Sequence, residues 1–177
     1  GVVKPGAKVA AQTTRNKKIG LIGTRGTVKS ELYPAIIHEY DPQIQVIGQA
    51  CPLLVPLVEE GWLKDEVTVE VAKRYLNPLL EQGVDTLILG CTHYPLLRSL
   101  MRQVAGDGVT LVNPAYETAQ ALRELLKEHG IENDGHEEEE FPYRFYVSDA
   151  EERFQEFAGS ILTYDVRMTK QINIEEY

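Results

Sequence analysis

Four short apolar runs, each closing on glycine or asparagine, most constrain what this chain can fold into: "KKIGLIG" (17–23), "IQVIG" (44–48), "DTLILG" (85–90) and "VTLVN" (109–113). They are nearly continuous in Ile, Leu and Val, as strands are when both faces of a sheet are covered. Helical patterns separate them. "TVKSELYPAIIHEY" (27–40) reads as one helix and "PLLVPLVEEG" (52–61) as a short one. Residues 66–83 place Val67, Val71, Tyr75 and Leu79 on one helical face, with a kink expected at Pro78. Residues 95–106 open on Pro and close on Gly, and 115–130 form an amphipathic helix ending at Gly. Strands alternating with helices predict a parallel-sheet α/β fold with helices on both faces.

This pattern predicts a complete α/β domain over 1–112 and a helix–strand–helix–strand remainder over 113–177. In the remainder, 131–140 is expected to be an exposed acidic loop, 143–148 a strand and 149–162 a helix capped by Ser148 or Asp149. The weakly alternating tail, 166–174, reads as an edge strand. Such a remainder is too small to bury a core alone and must pack on something else.

Composition narrows the function. The chain has 177 residues, 43% hydrophobic and 25% charged, with a net charge of −9. That balance lacks the basic footprint of a nucleic-acid binder. No apolar run approaches the roughly 18 residues a membrane span needs. The start "GVVKPGAKVA" has neither a Met nor a signal-peptide pattern, and it enters an element already under way, so a piece of a longer chain is expected. Two cysteines, neither in a CxxC, point to a reducing cytoplasm rather than a disulfide framework.

In an open parallel sheet, ligands bind beyond the carboxyl ends of the strands. Three such ends carry informative loops. "GTRGT" (23–27) offers Gly23, Thr24 and Thr27, with backbone N–H groups before a helix start. It suits a carboxylate or phosphate, or it is an ordinary turn capped by Thr27. It lacks the GK[ST] of a Walker A loop. "CTHYP" (91–95) places Cys91 near a helix N-terminus, which favours a thiolate, with Thr92 and His93 beside it. His93 can relay a proton; otherwise the pair is a buried thiol and a satisfied imidazole. Cys51 reads as an inert buried residue. Glu59 and Glu60 are either a solvated face or a carboxylate source near His93. Cys51, Cys91 and His93 make a poor zinc set, since 40 residues separate the thiols, and no metal is expected.

Three stretches in this order, "IGLIGTRGT", "ACPLLVPLVEEG" and "LILGCTHYPLL", resemble the glutamate racemases of the aspartate/glutamate racemase superfamily. The resemblance runs over essentially the whole chain. It implies interconversion of L- and D-glutamate without cofactor or metal, by two cysteines acting on opposite faces of the α-carbon. It implies that Cys91 is the base for the L-enantiomer, that His93 assists it, and that Glu59 (or its neighbour Glu60) is the carboxylate behind the histidine. Thr92, Thr24, Gly23 and Thr27 are implied substrate contacts. The resemblance further implies a cytoplasmic bacterial enzyme, homodimeric at full length, supplying D-glutamate for peptidoglycan, cell-wall biogenesis and cell shape, with no nucleic-acid or membrane partner. Aspartate racemases share the fold and the cysteine, but the His after "CT" favours glutamate.

One departure limits this reading. The family's other catalytic cysteine, in an Asn-Thr motif, and its Asp-Ser-Gly motif are both absent from these 177 residues, and "ACP" at Cys51 does not match. The expectation is the C-terminal portion of such an enzyme, with 113–177 closing a second, truncated α/β domain, inactive alone. A non-catalytic ligand-binding domain of the same fold is the alternative. A Cys–His amide hydrolase is weaker, because it also needs an oxyanion hole and an oriented base.

Overall fold

The computed structural model describes residues 1–133, 143–166 and 168–176. It forms two compact units, Gly1–Glu132 and Asn133–Tyr177. In the first, β1 (Lys18–Gly23), β2 (Gln45–Ala50), β3 (Thr86–Gly90) and β4 (Thr110–Val112) form one parallel sheet in the order β2-β1-β3-β4. Helices α1 (Val3–Thr13) and α3 (Leu32–Tyr40) pack on each other over one face. There Ala7, Ala10, Ile19, Leu21, Tyr33, Ile37, Ile88 and Val112 form a buried cluster. Alternate strand residues point to the other face, where α5 (Glu66–Glu81) packs on α6 (Arg98–Ala105) and Leu79, Val84 and Leu87 close over Gly20. The predicted parallel α/β fold is therefore the observed one. Among the described residues, no helix is long and apolar enough to cross a membrane.

Several elements depart from expectation for local reasons. The helix expected over 27–40 is two, α2 (Arg25–Lys29) and α3, with Glu31 in the left-handed region at φ 53°. Pro34 lies in the first turn of α3, and its ring would collide with the carbonyl four residues earlier if one helix ran through. Pro78, expected to kink α5, lies inside a helix that is continuous from Glu66 to Glu81. The helix expected from Pro95 begins as a tight 3₁₀ turn, Tyr94–Leu97, before α6. Helix α1 is the element that the start of the chain enters, although it holds a proline and a glycine. Pro5 falls in its first turn, where no N–H is needed, and Gly6 lets the backbone approach α7 (Pro114–His129): a Cβ there would lie 2.9 Å from the Pro114 Cβ. Helix α7 packs on α1 within the first unit.

The second unit contains β5 (Phe145–Val147), α8 (Glu151–Ile161) and β6 (Thr169–Gln171). The tail strand β6 pairs in parallel with β5. Ala158 and Val166 are buried, while Tyr146, Tyr164 and Met168 stay exposed, as a small remainder requires. The cap of α8 is Ala150 at φ 50°, rather than Ser148 or Asp149; the Asp149 carboxylate instead accepts from the Ala150 N–H at 2.7 Å. Of the acidic loop expected over 131–140, residues 134–140 lie outside the described residues.

One carboxylate ties the sheet to α1. Asp85, at the start of β3, accepts from Thr14 Oγ1 at 2.7 Å, Arg15 N at 2.7 Å, Asn16 N at 2.8 Å and Thr86 Oγ1 at 2.9 Å. Burial alone would raise its pKa. The hydrogen bonds from Thr14, Asn16, Arg15 and Thr86 outweigh that and hold it below the ordinary carboxylate value. A depressed folded-state pKa stabilises the fold above the unfolded value and loses that contribution as pH falls through the folded one. Asp85→Asn, which presents an amide N–H₂ to these donors, is expected to lower unfolding free energy at neutral pH by about 2–4 kcal/mol. In urea titrations, the variant should also lose part of the parent's stability decline below about pH 4.

Candidate active site

The sheet order makes the chain run from β1 outward to β2, then cross back to β3 on the opposite side of β1. The crevice between the carboxyl ends of β1 and β3 is therefore the switch point, where α/β folds bind ligands. A cavity of about 340 Å³ opens there, lined by Thr24, Thr27, Gly90, Cys91, Thr92 and Pro95, with Val2, Val3, Tyr33, Leu89, Asn113, Pro114 and Ala115 completing the wall. A larger groove of about 480 Å³ runs along α5, but its lining from Leu53 to Tyr75 holds no thiol or imidazole. The thiol and the threonine hydroxyls lie at the smaller one.

Glycines permit this geometry. Gly23 pairs with Ala50 on one side and Gly90 on the other. A Cβ on Gly90 would sit 2.8 Å from the Ile22 carbonyl oxygen and 2.9 Å from Leu21 Cδ1, so only glycine fits immediately before Cys91. Gly23 is not in the cavity wall. Its missing side chain makes room for Thr27, whose Cβ would be 3.0 Å from a Cβ there.

The two hydroxyls predicted at the β1 end meet at 3.0 Å. Thr24, rather than Thr27, caps α2: its Oγ1 accepts from the Thr27 N–H at 3.2 Å. Across the crevice, Cys91 is half-buried. Its Sγ lies 3.9 Å from His93 Nδ1, and Thr92 Oγ1 lies 3.2 Å from the same nitrogen. On the other side of the ring, His93 Nε2 lies 3.4 Å from Glu59 Oε1. The structure thus selects Glu59 as the carboxylate facing the histidine. Carboxylate, imidazole and thiol form a chain, with Nε2 facing Glu59 and Nδ1 shared between Cys91 and Thr92, which can pass a proton toward or away from the cavity. Helix α4 (Leu54–Glu59) carries the carboxylate, and the loop after β3 carries the other two.

Cys51 differs from Cys91. It is fully buried and its Sγ donates to the Gln49 carbonyl oxygen at 3.4 Å. Burial pushes its pKa up to about 12. Among the described residues, no group of three His, Cys, Asp or Glu side chains is placed to hold a metal ion.

Sequence reasoning missed the far wall. Asn113, whose side chain caps α7 by accepting from Ala115 N at 3.1 Å, closes the cavity with Pro114 and Ala115. It follows β4, so the strand-end rule that pointed to Thr24 and Cys91 applies there as well. Val2, Val3 and Tyr33 enter from α1 and α3 and had no local signal.

Residues 1–133 match the family described as Asp/Glu/Hydantoin racemase. The chain belongs to that family. It is 44% identical over 173 residues to the glutamate racemase of Neisseria meningitidis serogroup A, covering 98% of this chain and 63% of that protein. The crystal structure of glutamate racemase isoform RacE1 from Bacillus anthracis superposes with a TM-score of 0.90 at 36% identity, over 98% of this chain and 64% of that one. The glutamate racemase of Francisella tularensis subsp. tularensis SCHU S4, solved in complex with D-glutamate, superposes with a TM-score of 0.87 at 29% identity, over 99% of this chain and 64% of that one. The chain thus spans just under two thirds of the racemases it matches.

Replacing the glycine before the thiol tests the site's construction. Gly90→Ala is expected to cost about 1–3 kcal/mol by forcing the strand ends apart. In the same preparation it should change the alkylation rate of Cys91, read by mass spectrometry of the modified peptide.

Proposed function

We propose that this chain carries one catalytic half of a glutamate racemase, with Cys91 exchanging the α-proton of glutamate from one face of the substrate. The observation that carries this reading is the Glu59–His93–Cys91 chain ending at a cavity that also holds Thr24, Thr27 and Thr92. Cys91 acts as a thiolate on the L-enantiomer and as a thiol toward the D-enantiomer. His93 holds or returns the proton, and Glu59 orients the imidazole. The threonine hydroxyls and nearby backbone N–H groups hold the substrate's carboxylate and amino groups. Hydrogen bonds to the α-carboxylate stabilise the charge that develops when the α-proton leaves.

Inversion requires a second proton carrier on the opposite face, since a single thiol tends to return the proton where it took it. Cys51 does not line the cavity and is held by Gln49, which argues against that role. The opposing thiol then comes from outside these 177 residues. The exposed apolar side chains of α7, Tyr116, Leu122 and Leu125, suit contact with such a further segment, as do those of the second unit. On this reading α7 and the second unit close a second α/β domain. The complete enzyme works without cofactor or metal as a cytoplasmic homodimer and supplies D-glutamate for peptidoglycan.

Two measurements test this. Glutamate present at ten times its dissociation constant should slow Cys91 alkylation about tenfold by occupancy. Unprotected alkylation would favour a fold kept for another ligand. The purified 177-residue polypeptide should convert no L-glutamate to D-glutamate in a coupled D-amino-acid assay. Sustained turnover would overturn the two-thiol scheme.

A further inference from the structure

The residue after His93 has no part in the proton chain, yet it is the most deeply placed polar side chain near it. Tyr94 is fully buried, and its hydroxyl donates to the Cys51 carbonyl oxygen at 2.9 Å, across 43 residues of sequence. That carbonyl also accepts from Leu54 N, the first residue of α4, at 3.2 Å. No side chain caps the start of α4, which is six residues long and carries Glu59 at its other end. At 1.5 Å per residue, Glu59 lies only about 7–8 Å along the axis from Leu54, so a shift at one end of this short helix reaches the other.

We propose that Tyr94 is a positioning residue: through the Cys51 carbonyl, its hydroxyl holds the first turn of α4 against the loop bearing Cys91 and His93, and so keeps Glu59 on His93. The inference rests on the reading of Cys91, His93 and Glu59 as a proton chain. Three features support it. The two contacts in that chain, 3.4 Å and 3.9 Å, are long enough that a few tenths of an ångström decide whether they persist. A phenylalanine ring would fill the same space, so packing alone does not call for the hydroxyl. Burial raises the pKa of the phenol, which keeps it a neutral donor.

The test uses the full 177-residue chain and reads Cys91 alkylation by iodoacetamide across neutral and mildly alkaline pH, with thermal unfolding alongside. Glu59→Gln and Tyr94→Phe should each slow alkylation about fivefold and change its pH profile in the same way. The double variant should be no slower than Glu59→Gln, because the two changes act on one contact. Tyr94→p-aminophenylalanine, which restores a donor at the ring's para position, should return the parent rate. This variant also decides the matter if Tyr94→Phe does not fold. A Tyr94→Phe protein with lower Tm but the parent's rate and profile would overturn the proposal, as would multiplication of the two effects in the double variant. So would a folded p-aminophenylalanine protein as slow as Glu59→Gln. If His93→Gln and Glu59→Gln leave Cys91 unchanged, the proton-chain reading itself fails. That result is distinct from a failure of Tyr94 alone.

Discussion

The parallel pairing of β1 with a neighbour on each side is the constraint on which the rest depends. Because the strands run the same way, their carboxyl ends fall on one edge of the sheet. Gly23 is in register with Ala50 and with Gly90, so the loops after three strands start at one level. The crossing from β2 to β3 then opens the crevice beside β1. Thr24, Cys91 and Asn113, distant in sequence, reach one cavity because each follows a strand in this sheet.

Two carboxylates show how the same group serves opposite ends. Asp85 is nearly buried, receives four hydrogen bonds and sits at the amino end of β3, where it fixes the turn between α1 and β1. Its partners hold it in place, and removing the carboxylate leaves four donors, the buried Thr86 hydroxyl among them, to find other acceptors. Glu59 has a side chain 44% exposed and meets the imidazole at 3.4 Å. An exposed ion pair of that length adds little to stability. It suits a partner that must tolerate a change of charge on the ring. Stability is concentrated at one end of β3 and adjustable chemistry at the other.

Much of this was legible in the sequence where one local rule acts alone. Apolar runs ending in glycine or asparagine marked all four strands of the first unit, and the loops after β1 and β3 marked Thr24, Thr27, Cys91 and His93. Glu59 was legible only as one of an adjacent pair. The choice between it and Glu60 depends on the rotation of α4, which the packing against the 3₁₀ turn sets. Helix α1 was hidden because the reason for Gly6 emerges only once Pro114 of α7 lies against it. The division of the helix at Glu31 could have been read from Pro34, since a proline in mid-pattern marks a helix start as readily as a kink. The cavity's Val2, Val3 and Tyr33 were illegible, because nothing local indicates which apolar side chain ends at a ligand's edge.

The two cysteines occupy equivalent places on either side of one strand. Each directly follows the strand residue paired with Gly23, one on either side of β1. Local sequence separates them only by their neighbours, Thr92 and His93 after one and Pro52 after the other. Topology supplies the reason. Strand β2 is the edge of the sheet, and its end is closed over by the start of α4, with Tyr94 bonded to the Cys51 carbonyl. Cys51 is thereby buried among apolar neighbours, where a thiolate is disfavoured. Strand β3 lies on the switch-point side, so Cys91 opens onto the cavity with an imidazole within reach. The order in which the chain lays down its strands decides which thiol is structural and which is available for chemistry.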